Sequence, residues 1–187
     1  NRITRPITCA TCLFQPFVIL VPKSRPAITG YGESHHIRMT MEVGLYVRDY
    51  MDDPTRPLYD QIEEAAEIFR LAKGMGFSTL YMPQHFIAHP TIWPPPMEIL
   101  SRLAPDAKGL RLMTGILLLT YHNPVDIAEQ TATLDQISNG MFTLGVGLGY
   151  VEKELEAFGT NRAERVGRLE ESITLMKELW TGEEVEH

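Results

Sequence analysis

"TLGVGLGYVEKE", residues 143–154, carries glycine at every second position, Gly145, Gly147 and Gly149, with Leu144, Val146, Leu148 and Tyr150 alternating with them. In a β-strand alternate side chains point to opposite faces. One face of such a strand is apolar and the other is bare. Glycine inside a strand weakens it and marks the close approach of a ligand or of another backbone. Three readings follow. A dinucleotide fingerprint, G-x-G-x-x-G, turns at once into a phosphate-binding helix. Here the third glycine comes too early, and the acidic stretch "YVEKELEAF" follows instead. The second reading is small residues filling a tapering barrel interior. The third is a strand end against which a flat ring lies.

Working outward from this strand, the chain alternates. "MEVGLYV" (41–47) is a short apolar run. "LYDQIEEAAEIFRLAKGMG" (58–76) places Ile62, Ala65, Ala66, Phe69 and Ala72 at helical spacing between Pro57 and Gly74. "FSTLYMPQHF" (77–86) predicts a second strand, and "PPMEILSRLAPDAKG" (95–109) a short helix. "LRLMTGILLLT" (110–120) has the continuous apolar character of a strand buried on both faces. Asn123-Pro124 is an N-cap followed by proline at the first helical position, and that helix stops at Asn139-Gly140. Residues 141–150 form the fourth strand, 151–160 a loop with a helical turn, and 161–180 a helix lined by Val166, Leu169, Ile173, Met176 and Trp180. Strands starting near 42, 78, 110 and 141 with helices between them predict a parallel α/β sheet with right-handed crossovers. An open doubly wound sheet and a (β/α)8 barrel both fit, with about four βα units visible.

The 187 residues, 44% hydrophobic and 22% charged, suffice for a domain with a sizeable core. A net charge of −7 argues against nucleic-acid binding. No apolar run approaches the ~20 residues of a membrane helix, so no membrane partner is expected. Cys9 and Cys12 form C-x-x-C without a second ligand pair, so no metal site is expected. Free thiols fit a reducing cytoplasm. Residues 1–38 hold Pro6, Pro16, Pro22 and Pro26 and no sustained period. They are expected to be a leader, disordered or not native, ahead of a domain spanning 39–187.

His85 follows the second strand directly, at the strand end where barrel catalysis occurs. It can move protons near neutral pH. Gln84, His89 and Trp93 belong to the same loop, which is placed to meet a substrate. His122, just ahead of the helix cap, reads as structural. Lysines and arginines are scattered, with no phosphate cradle in sequence.

Four stretches taken together resemble the bacterial-luciferase-like family: "PQHF" (83–86), "TGILLLTYHNP" (114–124), "AEQTATLDQISNGMFTLGVGLGY" (128–150) and "ELEAFGTNRAERVGRLEESITLMKELWTGEEV" (154–185). The resemblance implies a (β/α)8 TIM barrel, here its first four βα units, and a flavin- or deazaflavin-dependent oxidoreductase. It implies a ring at the barrel mouth, held by Thr114, Gly115, Ile116, Gly147, Leu148, Gly149 and Tyr150, with the bare glycine face giving it room. It also implies a cis peptide at Gly115–Ile116. Gln84 stands where luciferase has histidine, which leaves His85 as the matching proton carrier. Leu148 replaces an arginine that contacts phosphate, and Tyr150 an acid of deazaflavin-dependent sugar dehydrogenases. The implied activity is that of a monooxygenase using reduced FMN on a small organic substrate, with a flavin reductase as the source and a homodimer as a possible assembly. The alternatives are hydride transfer with a deazaflavin coenzyme, and a non-catalytic flavin-binding or structural half-barrel with two exposed sheet edges.

Overall fold

The computed structural model describes the backbone of Val18–Leu20 and residues 42–48 and 51–186. The rest of the expected leader, and the cysteine pair, lie outside the described residues. The elements in order are β1 (Val18–Leu20), β2 (Gly44–Tyr46), α1 (Leu58–Ala72), β3 (Thr79–Met82), α2 (Pro96–Leu103), β4 (Arg111–Thr114), a 3-10 turn (Leu119–Tyr121), α3 (Pro124–Ile137), β5 (Phe142–Val146), α4 (Glu152–Ala157) and α5 (Arg165–Leu179).

The sheet order is β1-β5-β4-β3-β2. From β2 to β5 each strand pairs in parallel with the next in sequence, Leu45 opposite Leu80, Leu80 opposite Leu112, and Leu112 opposite Phe142. A doubly wound sheet reverses direction at a switch point. This one does not, and its sequential order is that of a partial (β/α) barrel. β1 lies antiparallel on the outer edge of β5, with Ile19 opposite Gly145. The expected pair of open edges is therefore corrected: Val18–Leu20 cover the β5 edge.

The helices form where their signals stand. The Asn123 side chain accepts from the Val125 amide at 2.9 Å and caps α3. Pro96 opens α2, and Met97, Ile99, Leu100 and Leu103 face inward. Gln61, buried in α1, donates to the carbonyls of Asp53 and Arg56 and accepts from the Asp53 amide, tying down the loop ahead of the helix. α1 and α2 are linked on the surface by Arg102, which pairs with both Glu63 and Asp106. The core sits between the sheet and the helices, with Leu80, Met82, Leu112, Phe142, Leu144 and Val146 packed against Ala65, Ala66, Phe69 and Met176.

The apolar run 110–120 is not one strand. β4 ends at Thr114, and the peptide Gly115–Ile116 is cis, at the position the resemblance implies. One extra residue bulges there, and the chain stays beside β5 as its parallel neighbour, with Leu117 opposite Val146. Leu117 N donates to Gly145 O at 2.8 Å, and Gly147 N donates to Leu117 O at 2.9 Å. Residues 117–121 are buried, Leu117 bridged to Val146 and 119–121 in the 3-10 turn.

The close approach of this segment corrects the expectation that the glycine face is open. A Cβ on Gly145 would lie 2.2 Å from Thr114 O, one on Gly147 2.0 Å from Ile116 Cδ1, and one on Gly149 2.2 Å from the Tyr121 hydroxyl. The bare face is filled by the neighbouring backbone and its side chains. Gly149 also needs its positive φ of 70°.

These contacts differ in kind, and the difference is measurable. Gly147→Ala meets the tip of a flexible side chain and should cost about 1 kcal/mol, whereas Gly145→Ala meets a backbone carbonyl and should cost about 3 kcal/mol. Urea-unfolding midpoints of the two variants check this; equal losses, or the reverse order, would refute the account of the packing.

Candidate active site

The carboxyl ends of β3, β4 and β5 lead into the segments 83–86, 115–118 and 147–150. Gln84 is 5% exposed and belongs to the wall between them. Its backbone N–H donates to Ile116 O at 3.1 Å, and its side-chain Oε1 accepts from Leu118 N at 2.8 Å. The same oxygen lies 3.1 Å from His122 Nε2, which must therefore carry a proton. The Thr114 hydroxyl donates to Gly145 O and accepts from Gly145 N, each at 2.8 Å. Gln84, expected at the substrate, and Thr114, expected at the cofactor, hold the bulge between β4 and β5 together. Leu148 packs into the main core, so its side chain is part of the support behind the mouth.

His85 is the accessible polar group here, its side chain 24% exposed. Its Nδ1 lies 3.1 Å from Oε1 of Glu154, and the same oxygen accepts the Phe86 amide at 2.9 Å. Glu154, in the short helix α4, is 2% exposed at its side chain. Burying a carboxylate is costly unless it is hydrogen-bonded, and these bonds to consecutive residues of the β3 loop compensate one of its oxygens. The other oxygen, Oε2, has no partner among the described residues.

Two rings flank the imidazole edge-on: Trp93 at 4.7 Å and Tyr150 at 5.9 Å between centroids. Arg48 lies over the Trp93 ring at 4.6 Å, within cation–π range. The structure thus brings His85, Trp93 and Tyr150 together. His89 is exposed on the same loop.

Beyond β5 the backbone carbonyls are gripped from behind. Leu148 O accepts from Thr120, Gly149 O from Arg165 at 2.7 Å and Tyr150 O from Arg162 at 3.0 Å. Tyr121 stacks on Phe158, centroids 5.1 Å apart, and its hydroxyl is buried. Burial first, and then the Glu154 charge, push that hydroxyl up to about 12. For a flavin-type ring the half-buried Gly115 and Ile116, with Trp93 and Tyr150 beside His85, supply a fitting apolar and aromatic surface. The phosphate end finds no such cradle in these segments, because Arg162 and Arg165 are turned onto carbonyls. No group of three or more metal-capable side chains gathers among the described residues. No helix among them is long and apolar enough to cross a membrane.

Glu154 and Tyr121 escaped the sequence reading. Glu154 stands in an acidic stretch that reads as solvated loop, and its partner is 69 positions away. The one available signal was Leu155 beside it, an apolar residue that shows one side of that turn packs inward.

A sequential parallel sheet with its polar and aromatic groups gathered beyond the carboxyl ends is the arrangement in which barrel enzymes place their sites. Residues 41–187 match the luciferase-like monooxygenase family, and the chain belongs to it. It is 31% identical over 130 residues to the oxygenase component of the flavin-dependent trigonelline monooxygenase of Acinetobacter baylyi, covering 68% of this chain and 35% of that protein. It is 32% identical over 125 residues to the F420-dependent glucose-6-phosphate dehydrogenase of Amycolatopsis mediterranei, covering 61% and 36%. The fold superposes on monooxygenase RslO1 from Streptomyces bottropensis with a TM-score of 0.70 and 26% identity, covering 78% of this chain and 44% of that one. The chain spans between about a third and a half of the length of the curated relatives it matches.

His122 gives the wall a pH dependence. Burial lowers its proton affinity in the folded state below the ordinary value of 6.5. The unfolded chain then binds more protons than the folded one between the lowered value and 6.5, so stability rises with pH through that window and is fully present above it. Replacing His122 with Gln should flatten the loss of stability between pH 6.5 and about 5, before carboxylates titrate. Unfolding midpoints across that range check it; an unchanged slope would sink it.

Proposed function

We propose that this chain supplies the amino-terminal half of a flavin-dependent monooxygenase that uses reduced FMN to oxidise a small organic substrate. The observation that carries the reading is His85: it is partly exposed beyond the end of β3, tied at Nδ1 to a buried carboxylate, and walled by Trp93 and Tyr150. Family membership and the flavin-dependent relative support it. When bound, the reduced flavin supplies the electrons and activates dioxygen, one atom going to the substrate and the other leaving as water. The chain's own residues do the rest. His85 gives or takes a proton at Nε2. Trp93 and Tyr150 bound the space beside it and exclude water. Gly115 and Ile116 present the surface on which the ring rests, and Gln84 and Thr114 keep that surface in place. A flavin reductase provides the reduced cofactor, and the enzyme works in the cytoplasm, with a homodimer as a possible assembly.

The F420-dependent relative favours a second reading, hydride transfer with a deazaflavin coenzyme at the same mouth. Assays of the enzyme carrying these residues, with reduced FMN plus dioxygen and with deazaflavin under exclusion of oxygen, separate the two. His85→Ala should lower kcat by roughly 10²–10⁴-fold. An unchanged kcat would remove His85 from the chemistry and move the non-catalytic half-barrel ahead. The 187-residue chain alone should bind FMN weakly or not at all, since barrel phosphate sites are often formed by the loops after strands seven and eight. Tight stoichiometric binding in a fluorescence titration would overturn that.

A further inference from the structure

We propose that Glu154 is the positioning residue of His85, fixing its imidazole in the Nδ1–H form and leaving Nε2 as the unprotonated, accepting nitrogen. The inference rests on the reading of His85 as the proton carrier and adds the group that sets which nitrogen does the work.

The argument begins with the oxygen. An ionised carboxylate only accepts hydrogen bonds. Oε1 of Glu154 receives the Phe86 amide at 2.9 Å and faces His85 Nδ1 at 3.1 Å. Only a protonated Nδ1 makes that second contact a bond; the other tautomer would set its lone pair against those of an accepting oxygen. In water the neutral histidine side chain prefers the Nε2–H form, so Glu154 reverses the intrinsic preference. With the Glu154 side chain 2% exposed, water cannot readily take its place. The hydrogen-bond partner of a histidine nitrogen decides where its proton sits.

The adjoining contacts point the same way. Lys153, next to Glu154 in α4, donates from Nζ to Ile87 O at 2.6 Å. Ile87 has φ of 51°, a conformation that a β-branched residue rarely adopts. Residues 153 and 154 therefore hold three consecutive residues of the β3 loop, 85, 86 and 87, in a shape the loop would not choose alone. A buried carboxylate reaching to a partly exposed histidine is costly as mere packing. It makes sense as a device for orientation.

The test is nitrogen NMR of the 187-residue chain with 15N-labelled histidine at about pH 8.5, where histidines of ordinary proton affinity are neutral. The His85 signals are assigned by their loss in His85→Asn. The wild-type chain should show a protonated Nδ1 and a pyridine-type Nε2. Glu154→Ala should shift His85 to a mixture dominated by Nε2–H. Glu154→Gln should keep the wild-type pattern, because the Phe86 amide demands the amide oxygen at the Oε1 position, where it still accepts from Nδ1. A wild-type His85 in the Nε2–H form, or a Glu154→Ala spectrum matching the wild type, would overturn the proposal. Should Glu154→Ala fail to fold, an Nε2–H His85 in the wild type or in Glu154→Gln overturns it equally. The readout needs no turnover. An intact Nδ1–H pattern alongside full activity of His85→Ala would sink the catalytic reading and leave the positioning intact.

Discussion

The structure around the mouth depends on how closely β4 approaches β5 where β4 ends. The Thr114 hydroxyl takes both the N–H and the C=O of Gly145, a reciprocal pair at 2.8 Å each. Both groups are buried, where leaving either unpaired would cost the full desolvation of a peptide group. The approach is possible only because Gly145 has no side chain: its Cβ would sit 2.2 Å from Thr114 O. With this contact made, the bulge at residues 115–116 is held against β5, and Leu117 pairs in parallel with Val146. Gln84 then holds the bulge from β3, by its backbone N–H to Ile116 and its side chain to Leu118. Backbone pairing continues past the bulge, and the Thr114 and Gln84 side chains fill the gap it leaves.

The chemistry is positioned from a different direction. The strand ends supply a rigid wall, but the histidine is oriented by α4, an element after β5. Glu154 reaches the β3 loop from a buried site, Tyr121 stays neutral beside it, and Arg165 anchors the backbone between them at Gly149. The polar groups of the mouth are therefore joined by contacts long in sequence and short in space. Rigid support of this kind is what a functional group needs to hold one geometry.

Much of this was legible in the sequence. Regular alternation gave the parallel sheet, because helical and strand periods differ and the signals at Asn123-Pro124 and Asn139-Gly140 are local chemistry. Residue 85 stood out by position, just past a strand. What the sequence hid was tertiary. The glycine row signals close approach, yet a strand pattern says nothing of whether ligand or backbone approaches; here Thr114, Ile116 and Tyr121 do. The apolar run 110–120 is buried from Leu117 onward, but burial does not reveal that a bulge interrupts its pairing after Thr114. The resemblance puts Leu148 at the mouth, while its side chain packs into the core. Glu154 lay among exposed acids, and nothing near it in sequence names His85.

β5 has a parallel neighbour on one side and an antiparallel one, Val18–Leu20, on the other. Synthesis begins at the amino terminus, so residues 18–20 exist before Gly145 leaves the ribosome. A parallel strand seeking the β5 edge would meet an incumbent and would have to exchange with it bond for bond. Growth of the sheet past β5 is then a matter of timing and displacement, with a segment made before β5 acting as a placeholder.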